Sequence, residues 1–122
     1  MRYLWTTIYV KDLDESIDFY TDLVGLQMLR RFSANPGIEI AFMGNGVDQE
    51  TQVELLADTN KINIDYSEFI SIGFAVVSLD DMLDQVKSKN VAVHRGPFET
   101  PRMRFFCVKD PNGLNVEFFQ QK

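Results

Sequence analysis

Cysteine is almost missing from this chain of 122 residues, and Cys107 is its only one. A lone cysteine cannot close an intramolecular disulfide, so nothing here indicates an oxidising compartment. Histidine is as scarce, with His94 alone. No apolar run approaches the roughly 18 residues of a membrane span, which excludes a spanning helix. Positive charge is the minority: 12 Lys and Arg stand against 18 Asp and Glu, a net charge of −6. The largest basic clusters are the pairs Arg30-Arg31 and Arg102-x-Arg104. They do not offset the overall repulsion of nucleic acid and anionic membrane. There is no glycine-rich nucleotide loop, and the Asn-Gly pairs read as turns. The opening "MRYLWTTIYV" has two threonines in its middle, reaches Lys11-Asp12 at once and offers no small-residue cleavage site, unlike a signal peptide. A soluble, cytoplasmic protein with no nucleic-acid or membrane partner is the expectation.

What is present is an ordinary globular composition, 45% apolar and 25% charged with ten Phe. The length is that of one domain, 1–122, able to bury a core. Within it the chain repeats itself. "VKDLDESIDFYTDLVGLQM" from Val10 is matched by "VVSLDDMLDQVKSKNVAV" from Val76, and "VELL" from Val53 by "VEFF" from Val116. The repeats run over about 1–60 and 66–122. Each reads as strand, helix, then three strands. "LWTTIYV" has the β-branched and aromatic residues of a strand. "DLDESIDFYTDLVG" sets Leu13, Ile17, Tyr20 and Val24 at helical spacing, with Asp12 and Glu15 as a capping box and Gly25 as a stop. "LQMLRRF", "IEIAFMG" and "TQVELLA" follow as strands. In the second repeat, Ser78 caps a helix over "LDDMLDQVKSKN", flanked by the strands "SIGFAVV", "VAVHRG", "RFFCVKD" and "LNVEFF". The fold class is therefore α+β, two tandem βαβββ modules, and two such sheets side by side would make a concave trough suited to a ligand.

Strand alternation assigns the faces. Gln52, Glu54 and Leu56 share one face, and Asn115, Glu117 and Phe119 share its counterpart. The apolar alternates, Val53, Leu55, Val116 and Phe118, belong under the helices. Trp5, Thr7 and Tyr9 share the open face with Ser71, Gly73 and Ala75, while Leu4, Ile8, Val10, Ile72, Phe74 and Val76 should meet the helices. Four positions then form a pseudo-symmetric set: Trp5, Ser71, Glu54 and Glu117.

These residues resemble the vicinal oxygen chelate superfamily, and within it the glyoxalase I (lactoylglutathione lyase) and bleomycin-resistance-like branch. "VKDLDESIDFYTDLVGLQMLRRF" and "FFCVKDPNGLNVEFF" carry the resemblance, which spans nearly the whole chain. It implies a divalent metal such as Zn or Ni, held by four side chains on the first and last strands of the modules. Glu54 and Glu117 match two of those ligands and would also be the catalytic carboxylates, one serving as general base. Trp5 and Ser71 stand where the other two belong. Indole nitrogen offers no lone pair, and serine is a poor ligand beside imidazole. His94 lies off the four positions, so relatives that need two histidines are not matched.

Three functions follow as expectations. One is a glyoxalase-like protein binding a small molecule in the trough, with the standard lyase reaction absent or very weak. The second is a metal-free binding module of the drug-resistance type, with Trp5 and Phe119 as stacking surfaces. The third is a non-enzymatic domain serving a partner protein. Arg104, with Arg102, is either solvated or holds an anionic group of the ligand at the rim. Trp5 either stacks on a flat ligand or covers a sheet edge or dimer seam. The two glutamates have an alternative as solvated residues of an exposed sheet face, and Cys107 reads as a small core residue. Unpaired sheet edges and the resemblance together imply a homodimer.

Overall fold

The computed structural model describes residues 1–61 and 63–122. They divide into two compact units, Met1–Asp65 and Tyr66–Lys122. In the first unit β1 (Thr6–Tyr9) leads to α1 (Leu13–Asp18), which passes into a wider π-helical turn over Phe19–Leu23. Then come β2 (Gln27–Asn35), β3 (Ile38–Gly44) and β4 (Thr51–Asp58). In the second, β5 (Ser71–Ala75), α2 (Leu79–Ser88), β6 (Val93–Glu99), β7 (Met103–Lys109) and β8 (Asn115–Gln121) follow in the same sequence. The sheets have the same order, β1-β4-β3-β2 and β5-β8-β7-β6. In each, the first strand pairs in parallel with the last and the remaining pairs are antiparallel. The expected tandem βαβββ architecture is what forms.

A parallel pair needs a crossover connection, and the helix is part of it. Both helices start as their residues demand. The Asp12 carboxylate accepts from the Glu15 N–H at 2.9 Å, and the Ser78 hydroxyl oxygen accepts from the Asp81 N–H at 3.1 Å. Gln120 Oε1 on β8 takes a further orphan donor, the Leu79 N–H, at 2.6 Å. Gly25 stops the first helix at φ +86°, a conformation that costs glycine little.

The helix-side faces make the core. Ile8, Val53, Leu55, Ala41 and Met43 are buried in the first unit, and Phe106, Val108, Val116 and Phe118 in the second. Under α1 the inner line is Leu13, Ser16, Tyr20 and Leu23, whereas Ile17 and Val24 are only half-buried. Steps of three as well as four residues land on the inner side of a helix, and Ser16 is small enough to take one. Leu4 departs from expectation more clearly. It is 55% exposed, because the β1 ladder begins at Thr6 opposite Val53 and the residues before it leave the sheet. Ile72, Phe74 and Val76 are half-buried rather than fully enclosed.

Because Asp12 and Ser78 hold matching positions and each takes one orphan N–H, each should carry a similar share of stability. Asp12→Ala and Ser78→Ala are each expected to lower unfolding free energy by about 1 kcal/mol, read from urea denaturation of the full chain.

Candidate functional site

The registers set two equivalent rows across the open faces. In the first unit Thr7 pairs with Glu54, Glu54 with Phe42, and Phe42 with Arg30. In the second Gly73 pairs with Glu117, Glu117 with Cys107, and Cys107 with Arg95. Directly opposed residues share a sheet face, so each row is four side-by-side positions. The repeated glutamate is thus part of a repeated row that also repeats an arginine.

The rows have diverged. In the first, the Thr7 hydroxyl donates to Glu54 Oε1 at 2.6 Å, and Glu54 has no ion-pair partner among the described residues. The Phe42 ring fills the next position and gathers the aromatics, with its centroid 5.3 Å from Trp5 and 5.3 Å from Phe32. Arg30, beyond that ring, turns onto Phe32, its guanidinium carbon 4.5 Å from the ring centre. Trp5 is half-buried against Phe42, just ahead of β1. With Arg2, Leu4, Glu50 and Thr51 it lines a hollow of about 140 Å³.

In the second row Cys107 replaces the ring with a small side chain. Arg95 crosses it and sets Nη2 3.5 Å from Glu117 Oε1. Burial pushes the Cys107 thiol above its ordinary value of 9.0, against a smaller opposite pull from the Arg95 guanidinium beside it. The thiol is therefore neutral at pH 7. Gly73 leaves the place next to Glu117 bare. A Cβ there would lie 2.9 Å from Phe119 Cε2, so the glycine makes room for that ring. Phe119 in turn stacks on Phe105 with centroids 5.1 Å apart.

The expected site residues are therefore distributed as follows. Glu54 is on the open face of the first unit, and Trp5, just ahead of β1, packs its ring on Phe42 of that face. Ser71, Glu117 and Phe119 share the open face of the second, where Ser71 is exposed and lies opposite Asn115. Arg104 is on the helix side instead. Its guanidinium meets Asp80 of α2 at 3.0 Å and Glu99 of β6 at 3.3 Å, tying α2 and β6 to β7. Strand alternation could not have found Arg95: the β6 ladder is irregular between Val93, opposite Val108 on the helix side, and Arg95, opposite Cys107 on the open face, so a strict period of two would have put Arg95 under the helix.

His94 joins a separate cluster. Its Nε2 is 3.2 Å from Glu68 Oε2, while Lys109 Nζ donates to Glu68 Oε1. The Glu68 carbonyl also accepts from Asn115 Nδ2 at 3.2 Å, which fastens the approach to β5 onto β8.

The residues do not fit a four-ligand metal cage. Trp5 brings no lone pair, Ser71 brings a neutral hydroxyl, and Glu117 already faces a guanidinium. Among the described residues no three of His, Cys, Asp and Glu are grouped as a metal would need.

This fold and this pair of strand-borne glutamates define a class. A family model described as the Glyoxalase/Bleomycin resistance protein/Dioxygenase superfamily matches residues 2–118, and the chain belongs to that superfamily. A protein of Vibrio parahaemolyticus named a probable lactoylglutathione lyase is 34% identical over 129 residues, covering 99% of this chain and 91% of that protein. The lactoylglutathione lyase of Escherichia coli O157:H7 is 32% identical over 130 residues, covering 100% of this chain and 94% of its own length. Among solved structures, the trypanothione-dependent glyoxalase I of Leishmania major superposes with a TM-score of 0.82 at 28% identity, over 98% of this chain and 86% of that one. An antibiotic-binding protein of Streptomyces at 19% identity and a TM-score of 0.74, over 100% of this chain and 98% of that one, shares the fold. No helix among the described residues is long and apolar enough to cross a membrane.

The Glu68 cluster makes a pH prediction. The Lys109 hydrogen bond first, and the His94 one second, hold the Glu68 carboxyl down from its ordinary 4.5 to about 2. A carboxyl depressed by folding contributes stability that is whole above its unfolded value and is lost as pH falls through its folded value. Glu68→Gln should therefore flatten the loss of stability between about pH 4.5 and about 2, measured as urea midpoints at stepped pH.

Proposed function

We propose that this chain is a glyoxalase-family protein that binds a small molecule against the open faces of its sheets, and that it performs the standard lactoylglutathione lyase reaction weakly or not at all. The observation that carries the reading is Trp5. At a position where the resemblance implies a metal ligand, the chain has an indole that packs on Phe42 and has nothing to donate to a metal. The relatives named for lyase activity support the class of substrate, a small molecule. The donor set argues against the full metal-dependent chemistry.

On this reading the first unit supplies the reactive carboxylate. Thr7 occupies Glu54 Oε1 and orients the group. Oε2 is then the oxygen that accepts a proton or a donor group from the ligand. Trp5 and Phe42 offer a tilted aromatic wall beside it. In the second unit Phe119 and Phe105 offer a stacked pair next to the Arg95–Glu117 ion pair. Cytoplasmic residence belongs to the same proposal.

The test is direct. The purified chain is assayed on the hemithioacetal of methylglyoxal and glutathione, with Ni, Zn, Co and Mn added in turn. Turnover should stay well below the usual enzyme range of ~1–10³ per second, and turnover within that range would overturn the reading.

The proposal extends to a homodimer. Each four-stranded sheet ends in edge strands, β1 and β2 or β5 and β6, and proteins tend to cover such edges. Sedimentation at micromolar concentration should give about twice the chain mass of 14.1 kDa, and a clean monomer would count against it.

A further inference from the structure

The two rows differ at one decisive place. Arg30 and Arg95 occupy equivalent positions, each one strand beyond the residue that faces the glutamate. In the first unit that residue is Phe42, and Arg30 is diverted onto Phe32. In the second it is Cys107, and Arg95 passes over it to Glu117. The size of one side chain thus decides whether the arginine reaches the carboxylate.

We propose that Arg95 is the resident cation of Glu117: its guanidinium supplies the positive charge that a divalent metal would otherwise bring to this carboxylate, and so keeps such a metal off it. The inference deepens the functional reading above and rests on it only for Glu117 being a site residue. The Glu117 side chain is 16% exposed and Arg95 is 49% exposed, so the carboxylate is the more enclosed partner. A carboxylate in that setting favours a counter-charge, and the guanidinium is already beside it. Arginine cannot make room for a second cation by losing its proton, as lysine or histidine can. Swinging it aside would leave Glu117 without its counter-charge and uncover Cys107, which is 2% exposed. Among the described residues Glu54 has no such guard, so the two repeated glutamates hold different offices. Glu117 is the fixed half of an ion pair, and Glu54 is the carboxylate open to a ligand.

The test titrates Co, Ni and Zn into the full chain, freed of metal by dialysis against chelator, with calorimetry and the visible spectrum of bound Co as readouts. The wild type should show no saturable site that depends on Glu117 up to roughly millimolar metal. Arg95→Met keeps a long unbranched stem and removes the charge, and should bind at least about tenfold more tightly. Arg95→Lys, whose ammonium can yield its proton to an incoming metal, should bind more tightly than wild type and less tightly than Arg95→Met, and adding Glu117→Gln to Arg95→Met should erase the gain. Should Arg95→Met fail to fold, judged by its urea transition, Arg95→Gln takes its place. Equal metal affinity in wild type and the neutral variant, or a gain that survives Glu117→Gln, overturns the proposal. So does a wild-type site lost in Glu117→Gln, whatever the Arg95 variants do. Lyase turnover is scored apart: a chain that is inactive but binds metal as tightly as Arg95→Met sinks this inference and leaves the functional reading standing.

Discussion

Each helix can bury its apolar side against only one face of a four-stranded sheet, and that one-sided burial directs the side chains of the central strands in both units. It sends Val53, Leu55, Val116 and Phe118 inward, where they are at most 3% exposed. By the period of two it then sends Glu54 and Glu117 the other way. A slip of one residue in β4 or β8 would bury a carboxylate under a helix and bring an apolar residue to the open face. The cost of burying an unpaired charge makes that register strongly disfavoured. The core and the candidate site are thus one decision made twice.

Parallel pairing of first and last strands adds the second coordinate. It places Thr7 beside Glu54 and Gly73 beside Glu117, and so gives the two glutamates different neighbours from the start. Threonine donates to its glutamate and orients it. Glycine contributes no side chain, and the Phe119 ring takes the space. Across the row, Phe42 and Cys107 then separate the fates of Arg30 and Arg95. A duplicated fold has kept its frame and its charged positions, and has differentiated through the volumes between them.

Much of this was legible in the residues. Capping by Asp12 and Ser78 depends on a side chain three residues from its target, which is local chemistry. The same holds for the turn at Asp110, whose carboxylate accepts from the Asn112 N–H at 2.8 Å and the Leu114 N–H at 2.9 Å. Alternation put Glu54, Glu117 and Phe119 on open faces, and it was sound for β4 and β8 because their ladders run the length of the strands. It was unsound for Leu4, which lies before the ladder starts. Arg104 was legible as a charge but not as a partner. Its ion pair with Asp80 joins a strand to a helix 24 residues earlier.

By itself, then, the sequence determined the two modules, their caps and turns, and the matched pair of glutamates, because helical period, strand alternation and capping act over a few residues. Only the tertiary structure decided which charges are neutralised. An arginine reaches a carboxylate across a strand according to the residue that lies between, and that residue is set by pairing register rather than by order along the chain. Cys107 admits Arg95 to Glu117, and Phe42 denies Arg30 to Glu54. The two glutamates read alike in sequence and differ in charge environment because the strands beside them pack different volumes.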